Sequence, residues 1–110
     1  MDDFDIARLD EVIHGRLRLG VMAYLIAAQV ADFNTLKARL QATDGNLSVH
    51  LRKLEDAGYV IQEKSFAGRK PLTRVRLTEA GRKAFRSYLD AISDLVDAAP
   101  PASGADDPSV

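Results

Sequence analysis

The chain has 110 residues, 46% hydrophobic and 28% charged, with 15 Lys+Arg against 16 Asp+Glu and a formal net charge of −1. That length predicts one domain with a single modest core and is too short for most two-domain enzymes. The absence of cysteine excludes disulfides, thiolate metal sites and thiol nucleophiles, and suits a reducing, cytoplasmic location.

The acidic opening Met1-Asp2-Asp3 is unlike the basic start of a signal peptide, so no export is expected. Residues 4–13 place Ile6, Leu9 and Ile13 at helical spacing, with Asp2, Asp3 and Asp5 suiting a helix N-terminus, and Gly15 marks a break. Residues 16–28 are apolar on nearly every face, which predicts a central helix. Its apolar run, Leu19 to Ala28, is too short to cross a bilayer. Asp32 or Asn34 can cap a following helix with Leu36 and Leu40 turned inward, and residues 41–45 read as a short turn.

The next helix carries Leu47, Leu51 and Leu54 at core spacing and ends at Gly58, the residue type suited to a left-handed cap. Residues 59–66 and 73–77 are β-prone and flank Ala67-Gly68-Arg69-Lys70-Pro71, which predicts a β-hairpin with a basic tip. Thr78 can cap a last helix, where Phe85, Tyr88, Ile92, Leu95 and Ala99 recur at steps of three and four beside Leu89 and Val96. That seam suits either the chain's own core or a second copy. From Ala98 onward the Pro, Ala, Ser, Gly and Asp composition predicts a disordered acidic tail, so the expected division is a domain over 1–97 and a tail over 98–110.

The small total charge hides a segregated distribution. Residues 1–45 hold five basic and seven acidic groups, residues 46–86 hold ten basic and four acidic, and residues 87–110 hold five Asp and no Lys or Arg. The local balances are therefore −2, +6 and −5. Screening beyond about 8–10 Å makes each region act by its own field, so the middle third can attract a polyanion.

A mainly α chain in which helix–turn–helix precedes a β-hairpin is the layout of a winged helix. In that layout the second helix of the pair enters the major groove and the hairpin reaches the flanking DNA. With three leucines turned inward, the opposite face of that helix carries Asn46, Ser48, Val49, His50, Arg52 and Lys53. These supply amide, hydroxyl, imidazole, guanidinium and ammonium donors suited to base edges and phosphates. Arg52 can pair with guanine or phosphate, and Lys53, a flexible point charge, suits phosphate. Thr43 can cap the helix and also meet phosphate. Gly45 either lets a backbone N–H approach phosphate or packs tightly on the preceding helix. Arg69 and Lys70 at the hairpin tip suit a narrow minor groove, flanked by Lys64 and Arg74.

The strings Arg16-Leu17-Arg18-Leu19 and Asp44 through Val60, followed by Gly68-Arg69-Lys70-Pro71 and Leu77-Thr78-Glu79-Ala80-Gly81-Arg82, resemble the MarR/ArsR-type winged-helix transcriptional regulators. The resemblance covers about residues 5–97. It implies a homodimer on a palindromic operator, usually acting as a repressor. The chain departs from the thiol metal sensors of that group in having no cysteine. Phe4, Ile6, Leu9 and Ile13 from the first helix, with Phe85, Tyr88, Leu89, Ile92, Leu95 and Val96 from the last, are the expected dimer interface. Tyr24, Phe33, Phe85 and Tyr88 are residues that could line an effector cleft or simply pack.

His14 and His50 are the only histidines, lie far apart and lack carboxylates at ligand spacing, so no metal is expected. No phosphate-cradling, dinucleotide or zinc-protease motif occurs, and no cofactor or enzymatic activity is expected. The expected partners are double-stranded DNA and a second copy, without a membrane. A winged helix can also present the same face to another protein, and binding to duplex DNA separates the two readings.

Overall fold

The computed structural model describes residues 4–99. Its order is a 3-10 turn at Ile6–Arg8, α1 (Arg16–Ala28), β1 (Val30–Asp32), α2 (Phe33–Leu40), α3 (Asp44–Asp56), β2 (Val60–Ala67), β3 (Lys70–Leu77) and α4 (Glu79–Ala98). The helices enclose one core with a three-stranded antiparallel sheet of order β1-β3-β2. This is the winged-helix architecture. The expected acidic tail lies, from residue 100 on, outside the described residues, as do Asp2 and Asp3.

α1 is central, as its all-round apolar sequence predicts: Val21, Met22 and Leu25 are fully buried. α2 contributes Leu36, and α3 contributes Leu47, Leu51 and Leu54, each with no exposed surface. Thr43 caps α3 through Oγ1, which accepts from the Asn46 amide at 3.2 Å. At the other end Gly58 has φ +83°, its amide bonds to the Glu55 carbonyl at 2.9 Å, and the Tyr59 amide bonds to the Leu54 carbonyl at 2.9 Å. That paired closure turns the chain sharply into β2.

Thr78 joins two elements. Its hydroxyl accepts from the Gly81 amide at 2.9 Å, capping α4, and donates to the Gly58 carbonyl at 2.6 Å. The start of α4 is thereby pinned to the end of α3.

Three features differ from expectation. The helix expected over residues 4–13 shrinks to one 3-10 turn. The cause is local competition by carboxylates: Asp5 accepts from the Ala7 amide at 3.0 Å, and Asp10 Oδ1 accepts from the amides of Val12 at 2.8 Å and Ile13 at 3.4 Å. Gly15 does mark the break, serving as the extended residue before α1. Residues 4–15 therefore form an arm. Secondly, β1 was not expected; three residues carry too little pattern, and the strand exists through pairing with Arg74–Arg76 of β3. Thirdly, the hairpin loop is shorter than residues 67–71. Ala67 pairs with Lys70 and Phe66 with Pro71, leaving Gly68 and Arg69 as a two-residue tip. Gly68 supplies the positive φ, +66°, that the tight hairpin turns require.

Candidate nucleic-acid interface

α3 and the β2–β3 hairpin stand side by side and are fixed at a defined angle by Glu55. Its two carboxylate oxygens accept from the backbone amide and the side-chain amide of Gln62, each at 3.1 Å. Between helix and hairpin lies an open groove of about 560 Å³ lined by Ser48, Arg52, Glu55, Asp56, Gln62 and Lys64. Three buried leucines hold the inner face of α3, so Ser48, Val49, Arg52 and Lys53 are exposed. Val49 keeps 55% of its surface, an apolar group of the size that meets a thymine methyl.

Thr43, Gly45 and Asn46 are exposed around the first turn of α3. Nothing lies within 4 Å of the position a Cβ would take on Gly45, so packing against α2 does not explain this glycine. Asp44 beside it pairs with Lys37 of α2 at 2.8 Å. His50 is only half-exposed, and its Nδ1 lies 2.7 Å from Nη1 of Arg18 in α1. Burial first, then the charges of Arg18 and Lys53, hold its imidazole below the ordinary pKa.

On the wing, Lys64, Arg69 and Lys70 are exposed, and none is among the ion pairs of the described residues. Arg74 differs. It sits at the root of the hairpin opposite Asp32 of β1, with Nε 3.5 Å from the carboxylate, so its charge is partly spent inside the fold. Arg76 pairs likewise with Glu63 at 3.3 Å. The wing's free charge is therefore concentrated toward its tip.

A second surface runs along the arm and α4, joined by Arg8 and Asp94 at 2.7 Å. Phe4, Ile6, Leu89, Ile92 and Val96 are exposed there, Ile6 at 69% and Val96 at 71%, with Leu9 and Leu95 partly covered. Ile13, Phe85 and Tyr88 must be removed from the expected dimer surface. They are buried in the core of one chain, where a second copy cannot cover them. Tyr88 also holds His14, whose Nδ1 lies 2.6 Å from its hydroxyl. Of the aromatic residues considered for an effector cleft, Phe85 and Tyr88 are core, Tyr24 lies under the Arg39 guanidinium, and Phe33 borders a cleft of about 100 Å³ with Pro71 and Leu72.

Sequence reasoning overlooked Arg18 and Asp10. Asp10 accepts from the Tyr59 hydroxyl, which is pushed up to about 12 by that bond, by burial and by the carboxylate's charge. A usable signal for Arg18 was present: an arginine in a helix's first turn opposes the macrodipole and needs a specific partner.

The winged helix DNA-binding domain family matches residues 17–96. The chain belongs to that family. An uncharacterised protein of Methanocaldococcus jannaschii is 36% identical over 85 residues, covering 77% of this chain and 92% of that one. A solved transcriptional regulator homologue from Pyrococcus horikoshii is 32% identical with TM-score 0.75, over 80% of this chain and 87% of that one. Overoxidised AbfR bound to DNA has TM-score 0.67 at 22% identity, over 84% of this chain and 66% of that one. AbfR comes from Staphylococcus epidermidis. Its likeness extends the match in fold. This winged helix is thus of the DNA-binding regulator class. Among its described residues no helix is long and apolar enough to cross a membrane, and no cluster of three metal-ligating side chains occurs.

Proposed function

We propose that the protein is a sequence-specific transcriptional regulator that binds a palindromic operator as a homodimer and acts as a repressor. The observation that carries this reading is the geometry of α3 and the wing: an exposed donor-rich helix face beside a hairpin whose unpaired cations gather at its tip. Ser48, Val49, His50 and Arg52 read bases, with Thr43, Gly45, Asn46 and Lys53 on the backbone. Lys64, Arg69 and Lys70 follow the flanking strand, with Arg74 in a lesser role. AbfR, which shares the fold, has been solved bound to DNA.

The arm and α4 supply the dimer surface through Phe4, Ile6, Leu9, Leu89, Ile92, Leu95 and Val96. Two recognition helices then meet half-sites about one helical turn, ~34–36 Å, apart. Occupying such a site blocks access to the promoter that contains it.

Selection of bound duplexes from a genomic fragment pool tests the reading, because a symmetric dimer recovers an inverted repeat. Recovery of no enriched duplex, including the protein's own promoter region, would overturn it in favour of a protein-binding role for the same face. On a recovered operator, Arg52→Ala should weaken specific binding by about 1–3 kcal/mol and relax preference at one base pair per half-site. Arg69→Ala combined with Lys70→Ala should weaken binding evenly across sequences. If both side chains hold phosphate, the slope of log affinity against log salt should flatten by about 1.8 per protomer. An unchanged slope removes the wing from the interface.

A further inference from the structure

Arg18 lies in the first turn of α1, outside both the recognition helix and the wing, yet its guanidinium joins three parts of the fold. Its Nε donates to the Val12 carbonyl, its Nη2 donates to the Glu11 carbonyl at 3.4 Å, and its Nη1 lies 2.7 Å from His50 Nδ1. Gly15 makes room for it, since a Cβ there would come within 2.6 Å of Nη2. A guanidinium has five donors and no acceptor. Nδ1 of His50 is therefore the acceptor, and the ring's single proton resides on Nε2.

We propose that Arg18 is a positioning residue for DNA reading, which presents His50 of the recognition helix as an Nε2–H donor and locks that helix to the arm. This rests on α3 being the helix that reads DNA, and it specifies more. The group opposite His50 is a base-edge acceptor, such as guanine N7 or O6 or thymine O4. Acid breaks the arrangement, because an imidazolium has two donors and nothing with which to accept from Arg18.

The charged surroundings oppose the imidazolium on balance. Arg18 of α1 and Lys53 of α3 border the adjoining groove of about 420 Å³, together with Glu11 of the arm and Asp56 of α3. Burial and the two cations depress the pKa from 6.5. A group whose folded pKa is lowered contributes stability above its unfolded pKa, near 6.5, and that contribution is lost as pH falls below it. The expected pH effect on selective binding has the same sign. A histidine acting simply as a cation on phosphate predicts the reverse, tighter binding in acid.

Fluorescence anisotropy on a selected operator and on an unrelated duplex, between about pH 7.5 and pH 5.5, reads the ratio of specific to nonspecific affinity. Wild type should lose that ratio several-fold on acidification, and His14→Gln should behave like wild type. His50→Gln keeps an acceptor for Arg18 but has no ring to titrate, so whatever ratio it retains should no longer change with pH. Arg18→Lys preserves charge but not the fork, and should cost about tenfold in the ratio with the salt slope unchanged. Nitrogen-15 shifts of the His50 ring in the free protein should report protonation at Nε2 in wild type and a mixture of tautomers in Arg18→Lys.

A gain of selectivity in acid, an unchanged ratio in Arg18→Lys, or a proton on Nδ1 in wild type overturns the proposal. Failure of wild type to bind any duplex would instead overturn the DNA-reading role of α3. The ring-nitrogen measurement needs no DNA and still tests the Arg18–His50 clamp in that case.

Discussion

Gly81→Ala should destabilise the fold by about 2 kcal/mol in a urea titration, although alanine is the better helix former by about 1 kcal/mol. Gly81 sits in the first turn of α4, where a Cβ would meet the Tyr59 carbonyl oxygen at 2.2 Å and its carbon at 2.9 Å. Those atoms are backbone and cannot rotate away. The same carbonyl accepts from the Thr78 amide at 3.0 Å, and the Thr78 hydroxyl bonds the neighbouring Gly58 carbonyl. Shifting α4 to relieve the overlap would disturb both bonds and the cap of α4. Gly45→Ala provides the counter-test. With open space at its Cβ position, it should stabilise α3 by about 0.5–1 kcal/mol. If Gly45 admits a phosphate to the backbone, the same substitution should weaken DNA binding, so stability and affinity move in opposite directions. A Gly81→Ala protein as stable as wild type would show that α4 docks elsewhere.

Leu51→Ala should lower stability by about 3–4 kcal/mol, in the upper part of the range for deleting a buried leucine. Leu51 lies between Leu47 and Leu54 along α3, and all three are wholly covered where α3 meets α1 and β2. Such a site has no free edge along which to collapse, so the cavity persists. A domain of this size has roughly 5–15 kcal/mol in total, and each kcal/mol moves the melting temperature by about 4–8 °C. Thermal denaturation followed by circular dichroism should therefore show a fall of well over 10 °C. A fall of only a few degrees would mean that α3 is held mainly by its ends.

What the sequence made legible was whatever its chemistry repeats or punctuates. The leucine spacing of α3, the threonines before α3 and α4, and the glycine after α3 each mark a position whose local physics admits few alternatives. The arm was misread because apolar spacing at Ile6, Leu9 and Ile13 is also compatible with an irregular segment whose amides are taken by Asp5 and Asp10. β1 was missed because its three residues form a strand only once β3 lies alongside. Among the candidate site residues, the exposed face of α3 followed from knowing its buried face. The engagement of Arg74 with Asp32 and of His50 with Arg18 did not, since each depends on residues more than thirty positions away. The same limit applies to Phe85 and Tyr88: a heptad-like seam cannot say whether its partner is the same chain or another.

The sheet is three strands deep only at its base. β1 pairs with Arg74–Arg76, whereas the ladder from Lys64 opposite Thr73 outward to Ala67 opposite Lys70 has two strands alone. A two-stranded ribbon is marginally stable by itself. The outer ribbon therefore behaves as a spring clamped at one end, with Phe66 at 72% exposure adding little to hold it down. The buried residues of the hairpin, Val60, Val75 and Leu77, all lie outside that outer ribbon. If the tip cations meet DNA as proposed, such a ribbon lets them follow a groove of changing width, while α3, held at both ends, keeps one pose. Tolerance and stringency thus reside in separate parts of one small domain.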